Sequence, residues 1–269
     1  MHGGGNFGDL WRDNANFRLN AVKGMKNNDL IFLPQSLHYS RPSTAKADNT
    51  TFQTNDRTLF MFRGFPSLEY SLSNFPGKQA KYVPDMAFAL GPQTPNAKPV
   101  IDVILLLRYD KEKVIKAADK NNALEKLSSA GISHEVWDFP IFGFPLKVLT
   151  DNKTVVYNYT KIYPKQIPIG QAIPHRHAFM GVRTQMANNV FSRARLVITD
   201  RLHASIMATL MGKPVIYLDN SYKKISNVRS ALANEFSECT DENLHARHAT
   251  TVAEAVDLAL NIFDGSMKI

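Results

Sequence analysis

Two segments put cationic and proton-transferring side chains where a small anion could be held. Thr199-Asp200-Arg201-Leu202-His203-Ala204-Ser205 follows the apolar run Leu196-Val197-Ile198 and opens a helical pattern, so an arginine and a histidine fall on the first turn of a helix leaving a buried strand. An anion there meets the helix dipole, free backbone amides, a guanidinium and an imidazole together. A plainer reading makes Asp200 an N-cap and leaves Arg201 and His203 as a solvated first turn. Arg108-Tyr109-Asp110-Lys111-Glu112 occupies the matching position after the apolar stretch from Val100 to Leu107. That match favours two arginines converging on one sheet edge.

A third segment, Gly3-Gly4-Gly5-Asn6-Phe7-Gly8-Asp9, reads as a glycine-rich turn opening a helix. It lacks the Gly-Lys-Ser/Thr ending of a Walker loop and is not a Gly-x-Gly-x-x-Gly run with a following acidic ribose ligand, so nucleotide binding gains no specific support. In open α/β sheets ligands bind beyond the carboxyl ends of the strands. The polar residues expected at such ends are Asn6, Asp9, Gln35, Ser36, His38, Arg63, Asp85, Arg108, Asp110, Glu112, Asp200, Arg201 and His203. Asp9 also reads as a helix cap. Taken singly, His38 reads as a structural or surface histidine, as do His134, His175, His177, His245 and His248. The triplet His175-Arg176-His177 has no partner at metal-ligand spacing, and the single Cys239 excludes an intramolecular disulfide and a cysteine metal cage. No metal is expected.

The elements that must position these residues alternate between strand and helix. Leu30 to Leu33, Leu59 to Phe62 and Lys81 to Val83 read as short strands, with a helical pattern from Leu10 to Met25 before them and a polar stretch from Ser40 to Asp56 between the first two. Only two residues precede the glycines, so the strand that normally feeds such a turn is expected to be missing. The first α/β unit is then incomplete. Gly91 to Pro99 holds three prolines and no apolar run, which reads as a linker and sets domains of 1–95 and 96–269. The second begins with the strand from Val100 to Arg108, a helix from Lys111 to Ser129 and a strand from His134 to Asp138. Residues 139–174 hold one strand near Thr154 to Asn158. Then follow a helix from Ala178 to Arg193, a strand from Leu196 to Thr199, a helix from Leu202 to Met211 and a strand from Pro214 to Leu218. Helices from Lys223 to Asn234 and from Val252 to Phe263 close the pattern.

The chain has 269 residues with 44% hydrophobic and 21% charged side chains, enough apolar material for a sizeable core. Its formal charge of +8 favours an anionic partner. No zinc-finger, RNA-recognition or helix-turn-helix signature accompanies that charge, and no dense basic run carries interleaved aromatics, so small anions stand ahead of nucleic acid. The apolar runs are of strand length, far below the ~20 residues a membrane helix needs, and no signal segment opens the chain. Three glycosylation triplets begin at Asn49, Asn152 and Asn158 and read as chance in an asparagine-rich chain.

Five motifs together resemble the polysaccharide pyruvyl transferases: Gly3-Gly4-Gly5-Asn6-Phe7-Gly8-Asp9-Leu10-Trp11, Leu33-Pro34-Gln35-Ser36-Leu37-His38, Val83-Pro84-Asp85-Met86-Ala87-Phe88, Arg108-Tyr109-Asp110-Lys111-Glu112 and Val197-Ile198-Thr199-Asp200-Arg201-Leu202-His203-Ala204. They run in the family's order over nearly the whole chain. The resemblance implies an α/β protein of two Rossmann-like domains facing a cleft in the manner of GT-B glycosyltransferases. It implies transfer of pyruvate from phosphoenolpyruvate to a sugar residue of a glycan, without metal, nucleotide or other cofactor. Arg108, Arg201, Leu202 and His203 then bind the donor, while Asn6, Asp9, Gln35, Ser36 and His38 face the acceptor. His203 is expected to supply or relay the proton that converts the donor's methylene to a methyl group, and Asp9 to help deprotonate the acceptor hydroxyl. Both a cytoplasmic setting and a Golgi-lumen setting suit such a chain. Two alternatives share the architecture: a glycosyltransferase using a nucleotide sugar, and a non-catalytic carbohydrate-binding remnant of the fold.

Overall fold

The computed structural model describes residues 3–108, 112–137 and 184–267, together with the backbone of 146–150 and 153–157. The first sheet is four parallel strands in the order β1 (Gly4–Gly8), β2 (Leu30–His38), β3 (Thr58–Phe62) and β4 (Gln79–Tyr82). Helices α1 (Arg12–Gly24), α2 (Pro42–Phe52) and α3 (Phe65–Asn74) connect them in turn. Its core is mostly aromatic, with Phe7, Phe32, Phe52, Phe60, Phe62 and Phe75 packed ring against ring.

One expectation is corrected here. The glycine run is not a turn following a strand, because Gly4–Gly8 is itself the edge strand, paired parallel to β2 with Phe7 opposite Leu37 and Gly8 opposite His38. Gly8 has φ of +116°, and a Cβ there would lie 1.7 Å from the His38 carbonyl oxygen, so no other residue fits this close approach. β2 likewise runs past the Leu33 end expected from sequence, on through Pro34-Gln35-Ser36-Leu37-His38.

A 3-10 turn, Met86–Leu90, follows β4, with the Asp85 carboxylate capping it by accepting the Ala87 N–H at 2.8 Å. Ala87 and Phe88 pack on the second core rather than the first. Residues 91–100 form neither helix nor strand.

The second sheet is five parallel strands in the order β11 (Ala246–Ala249), β10 (Val215–Leu218), β9 (Ala194–Thr199), β5 (Ile101–Leu106) and β6 (His134–Trp137). β7 (Leu146–Thr150) and β8 (Lys153–Tyr157) form a separate antiparallel pair. Helix α4 (Ala117–Ser129) lies between β5 and β6, helical residues 184–192 precede β9, and α5 (Leu202–Leu210), α6 (Lys224–Glu235) and α7 (Val252–Phe263) follow β9, β10 and β11. β5 explains its own uninterrupted apolar run. Ile104 and Leu106 face one buried core with α5 and α6, while Val103 and Leu105 face another with α4 and α7. A strand covered on both faces has no polar alternation to show.

Helix α4 begins at Ala117, six residues after the expected Lys111. Tyr109, Asp110 and Lys111, the sequons at Asn152 and Asn158, His175-Arg176-His177 and the expected helix start at Ala178 lie outside the described residues. Among the described residues no helix is long and apolar enough to cross a membrane.

Candidate active site

The strand order fixes where a site can form. From β5 the chain moves outward to β6, then returns to lay β9 on the other side of β5 and continues to β10 and β11. The switch point is therefore between β5 and β9, the place in such a sheet where ligands are expected beyond the carboxyl ends. Arg108 leaves β5 there, and Asp200-Arg201-Leu202-His203 leaves β9. The two segments are tied together. Asp200 accepts the Arg108 backbone N–H at 2.9 Å, Thr199 donates its hydroxyl to the Leu106 carbonyl at 2.7 Å, and the Arg201 N–H donates to the Thr199 hydroxyl oxygen at 3.0 Å. Asp200 thus does not cap α5, whose N-cap position is Arg201 with no side-chain cap bond. Burial raises the Asp200 pKa to about 6, against the opposing pull of the Arg108 N–H and the charges of Arg108 and Arg201.

The residues expected to bind a donor sit differently at this switch point. Arg108 is nearly buried and pairs with Glu112, four residues further along the chain, at 2.8 Å. Arg201 is half-buried. The Leu202 side chain belongs to the second core, so its backbone N–H is the part left for a ligand. His203 is 65% exposed, and its Nε2 lies 3.5 Å from Oδ2 of Asp85.

That contact crosses from the second sheet to the end of the first. Asp85 is buried and forms an ion pair with the buried Arg63, whose Nε donates to the Ser36 hydroxyl at 2.9 Å. Burial opposes the Asp85 charge, but the hydrogen bond from His203 and the charges of Arg63 and His203 outweigh it and hold the carboxyl far below its usual range. Ser36, Arg63, Asp85 and His203 form one continuous polar chain, carrying groups from β2, from the ends of β3 and β4, and from α5.

A second chain runs parallel to it. Glu112 accepts from the Trp11 indole at 2.9 Å, the Asn220 amide at 3.0 Å, the Tyr222 hydroxyl at 3.2 Å and Lys224 Nζ at 2.7 Å. Lys224 is nearly buried, and its Nζ sits over the Tyr222 ring. His38 stacks on the other partner of this chain, Tyr222, with centroids 4.9 Å apart. A cavity of about 210 Å³ opens beside them, lined by Ser36, His38, Ser67, Tyr70, Tyr222 and Lys224 among others. Gly5 makes room for both chains, since a Cβ there would lie 2.7 Å from Lys224 Nζ and 3.1 Å from a terminal nitrogen of Arg63.

The other residues expected to face an acceptor are spread more widely. Asn6 is bound by the buried Arg18 of α1 through both its carbonyl and its side-chain oxygen. Gln35 is fully buried, and its amide oxygen and nitrogen have no hydrogen-bond partner among the described residues. Asp9 does not cap α1; its carboxylate accepts the Ser40 and Arg41 backbone N–H groups, each at 2.9 Å, and the Ser40 hydroxyl at 2.9 Å. Burial works against this charge, and the three donors more than compensate, leaving the pKa lowered.

Asn220, Tyr222 and Lys224 were not singled out from sequence. Their signal was available: Asp219 and the residues after it follow the apolar strand Val215–Leu218 as Asp200 follows β9. Among the described residues no group of three or more His, Cys, Asp or Glu side chains is arranged to hold a metal ion.

A family model for polysaccharide pyruvyl transferase matches residues 1–222. The chain belongs to the polysaccharide pyruvyl transferase family. It is 28% identical over 273 residues to pyruvyl transferase 1 of Schizosaccharomyces pombe, covering 97% of this chain and 59% of that protein. It is also 28% identical over 229 residues to EpsO of Bacillus subtilis, provisionally named a pyruvyl transferase, covering 84% of this chain and 66% of that protein. The chain therefore spans about three-fifths to two-thirds of the length of these pyruvyl transferase relatives. A crystal structure of an uncharacterised protein from Klebsiella pneumoniae matches with a TM-score of 0.53 at 19% identity, over 93% of this chain and 74% of that one, a likeness of fold.

Proposed function

We propose that this pyruvyl transferase moves pyruvate from phosphoenolpyruvate onto a sugar residue of a glycan as a cyclic ketal, releasing phosphate. The observation that carries the reading is the switch point, where Arg108 and the Arg201-Leu202-His203 turn leave adjacent strands and are joined through Asp200. Phosphoenolpyruvate has a phosphate and a carboxylate, and guanidinium groups beside the first turn of α5 suit both. His203, exposed and backed by Asp85, is the group suited to give a proton to the donor's methylene carbon.

In this reading residues 1–95 and 96–269 are two Rossmann-like halves in a GT-B-like arrangement, with donor and acceptor held from opposite sides of a cleft. The cavity beside His38 and Ser36 takes the acceptor. Its aromatic walls suit the apolar face of a pyranose ring, and Ser36 and Ser67 suit its hydroxyls. Asn6 and Asp9 shape this side from behind. Asp9, whose carboxylate already accepts three donors and is acidified, fixes the turn into α2 more than it removes protons.

Donor identity is tested by ligand-induced heat protection. Phosphoenolpyruvate raises the melting temperature of the wild-type protein and fails to do so for Arg201→Ala. Protection by a uridine nucleotide, with none from phosphoenolpyruvate, would replace this reading with a nucleotide-sugar glycosyltransferase.

A further inference from the structure

Lys224 stands where a lysine is costly. It is the first residue of α6, so its ammonium lies at the positive end of the helix dipole. It is nearly buried, and the preceding Lys223 holds the left-handed backbone conformation, φ 53°, that a non-glycine residue rarely adopts. Its backbone N–H is fixed by the Asn220 side-chain oxygen at 3.0 Å, and Asp219 accepts the next two N–H groups. A lysine held so firmly in an unfavourable place, with Gly5 leaving space for its tip, is a candidate for work rather than for packing.

The lining of the acceptor cavity narrows what that work is. A ketal-forming transfer needs a group to take the proton of the attacking hydroxyl, and Asp9 is occupied. Among the described residues lining the cavity, Lys224 brings a nitrogen that becomes a base on losing one proton. His38 is stacked against Tyr222, whose phenol is pushed up in pKa by burial and by the charge of Glu112. The charged groups facing Lys224 are Glu112 and Arg108 from the segment after β5 and Arg63 from the end of β3.

We propose that Lys224, oriented by Glu112, is the base that accepts the acceptor hydroxyl's proton; this assignment rests on the transferase reading above. The first hydroxyl's O–H bond breaks as its proton passes to the neutral amine, and its oxygen lone pair forms the bond to the donor's central carbon, whose methylene has taken a proton; the C–O bond to phosphate then breaks, the second hydroxyl bonds to the same carbon, and its proton leaves with the phosphate. Glu112 stabilises the resulting ammonium at 2.7 Å, and the ammonium returns its proton to solvent between turnovers. Burial lowers the Lys224 pKa, Arg63 and Arg108 lower it further, and Glu112 pulls back, leaving it near about 8, where a usable fraction of amine exists.

The test follows sugar-dependent phosphate release against pH. The wild-type rate rises with pH as one group near 8 loses its proton. Lys224→Ala loses roughly 10²–10⁴-fold in kcat while keeping heat protection by phosphoenolpyruvate, and added methylamine or ethylamine restores part of the rate. Glu112→Gln moves the rise to lower pH, because the lysine loses its counter-charge; this variant decides the matter if Lys224→Ala does not fold. Unchanged turnover in Lys224→Ala, loss of rate without amine rescue, or a rise that Glu112→Gln does not move overturns the assignment alone. A wild-type protein without sugar-dependent phosphate release overturns the transferase reading and this assignment with it.

Discussion

The Nε2 of His203 lies 3.5 Å from the Oδ2 of Asp85, so an exposed imidazole on the second sheet's helix is held by a buried carboxylate at the end of the first sheet. The same oxygen is paired with Arg63. One carboxylate therefore serves both as the partner of a buried guanidinium and as the orienting group for the proposed acid.

Asp85→Asn should damage both roles. It leaves Arg63 buried without its counter-charge, a loss of about 3–5 kcal/mol by analogy with broken buried pairs. Because the Asp85 pKa is lowered in the folded state, its contribution is present above the unfolded carboxylate pKa and is lost as pH falls through the folded one. Urea unfolding from neutral to acid pH should show a stable wild type that weakens on acidification and a variant that starts weak and changes less.

His203→Gln should separate fold from function. The side chain is mostly in solvent, so stability should move by no more than about 0.5 kcal/mol. Phosphate release should fall roughly 10²–10⁴-fold. Asp9→Asn should show the opposite order, losing about 1–2 kcal/mol through its weakened hold on Ser40 and Arg41 before it loses rate. Parallel melting and turnover measurements on the two variants distinguish them.

Two glycines of β1 should respond differently to alanine. At Gly8 the new methyl meets the His38 backbone at 1.7 Å, which nothing local can relieve, and Gly8→Ala should fail to fold or lose several degrees in melting temperature. At Gly5 the nearest obstacle is the movable tip of Lys224 at 2.7 Å, followed by the side-chain end of Arg63 at 3.1 Å. Gly5→Ala should stay folded and lose turnover as Lys224 is pushed from Glu112.

Asp200 gives a stability profile of the other sign. Its folded pKa is raised to about 6, so its contribution is complete below the unfolded value and is lost as pH rises through about 6. Asp200→Asn should flatten this decline, worth on the order of 2–3 kcal/mol, in urea titrations between acid and neutral pH.

The inner strands of the second sheet, β5, β9 and β10, are readable in sequence because they are largely buried, and its last helix has a clear apolar stripe whose ends, Val252 and Phe263, match the reading. The elements that escaped lack such patterns. Helix α3 buries Ser71 and little else, β11 is the four-residue edge strand Ala246-Arg247-His248-Ala249, and β1 is made largely of glycine, which strands otherwise avoid. In the site, Arg108, Arg201 and His203 were legible because each follows a strong strand. The Asp85–His203 and Glu112–Lys224 contacts are not, because each joins residues distant in sequence: the first depends on how the two sheets meet, the second on the strand order that sets the ends of β5 and β10 on either side of β9.

The central claim is tested most directly by supplying the protein with phosphoenolpyruvate and a panel of glycosides, following phosphate release together with the mass of the sugar. Phosphate that appears only with an acceptor, matched by a sugar carrying a pyruvyl ketal, is the predicted result. An acceptor panel that leaves phosphoenolpyruvate intact, with sugar still binding in the cavity, would contradict it and leave a carbohydrate-binding protein in its place.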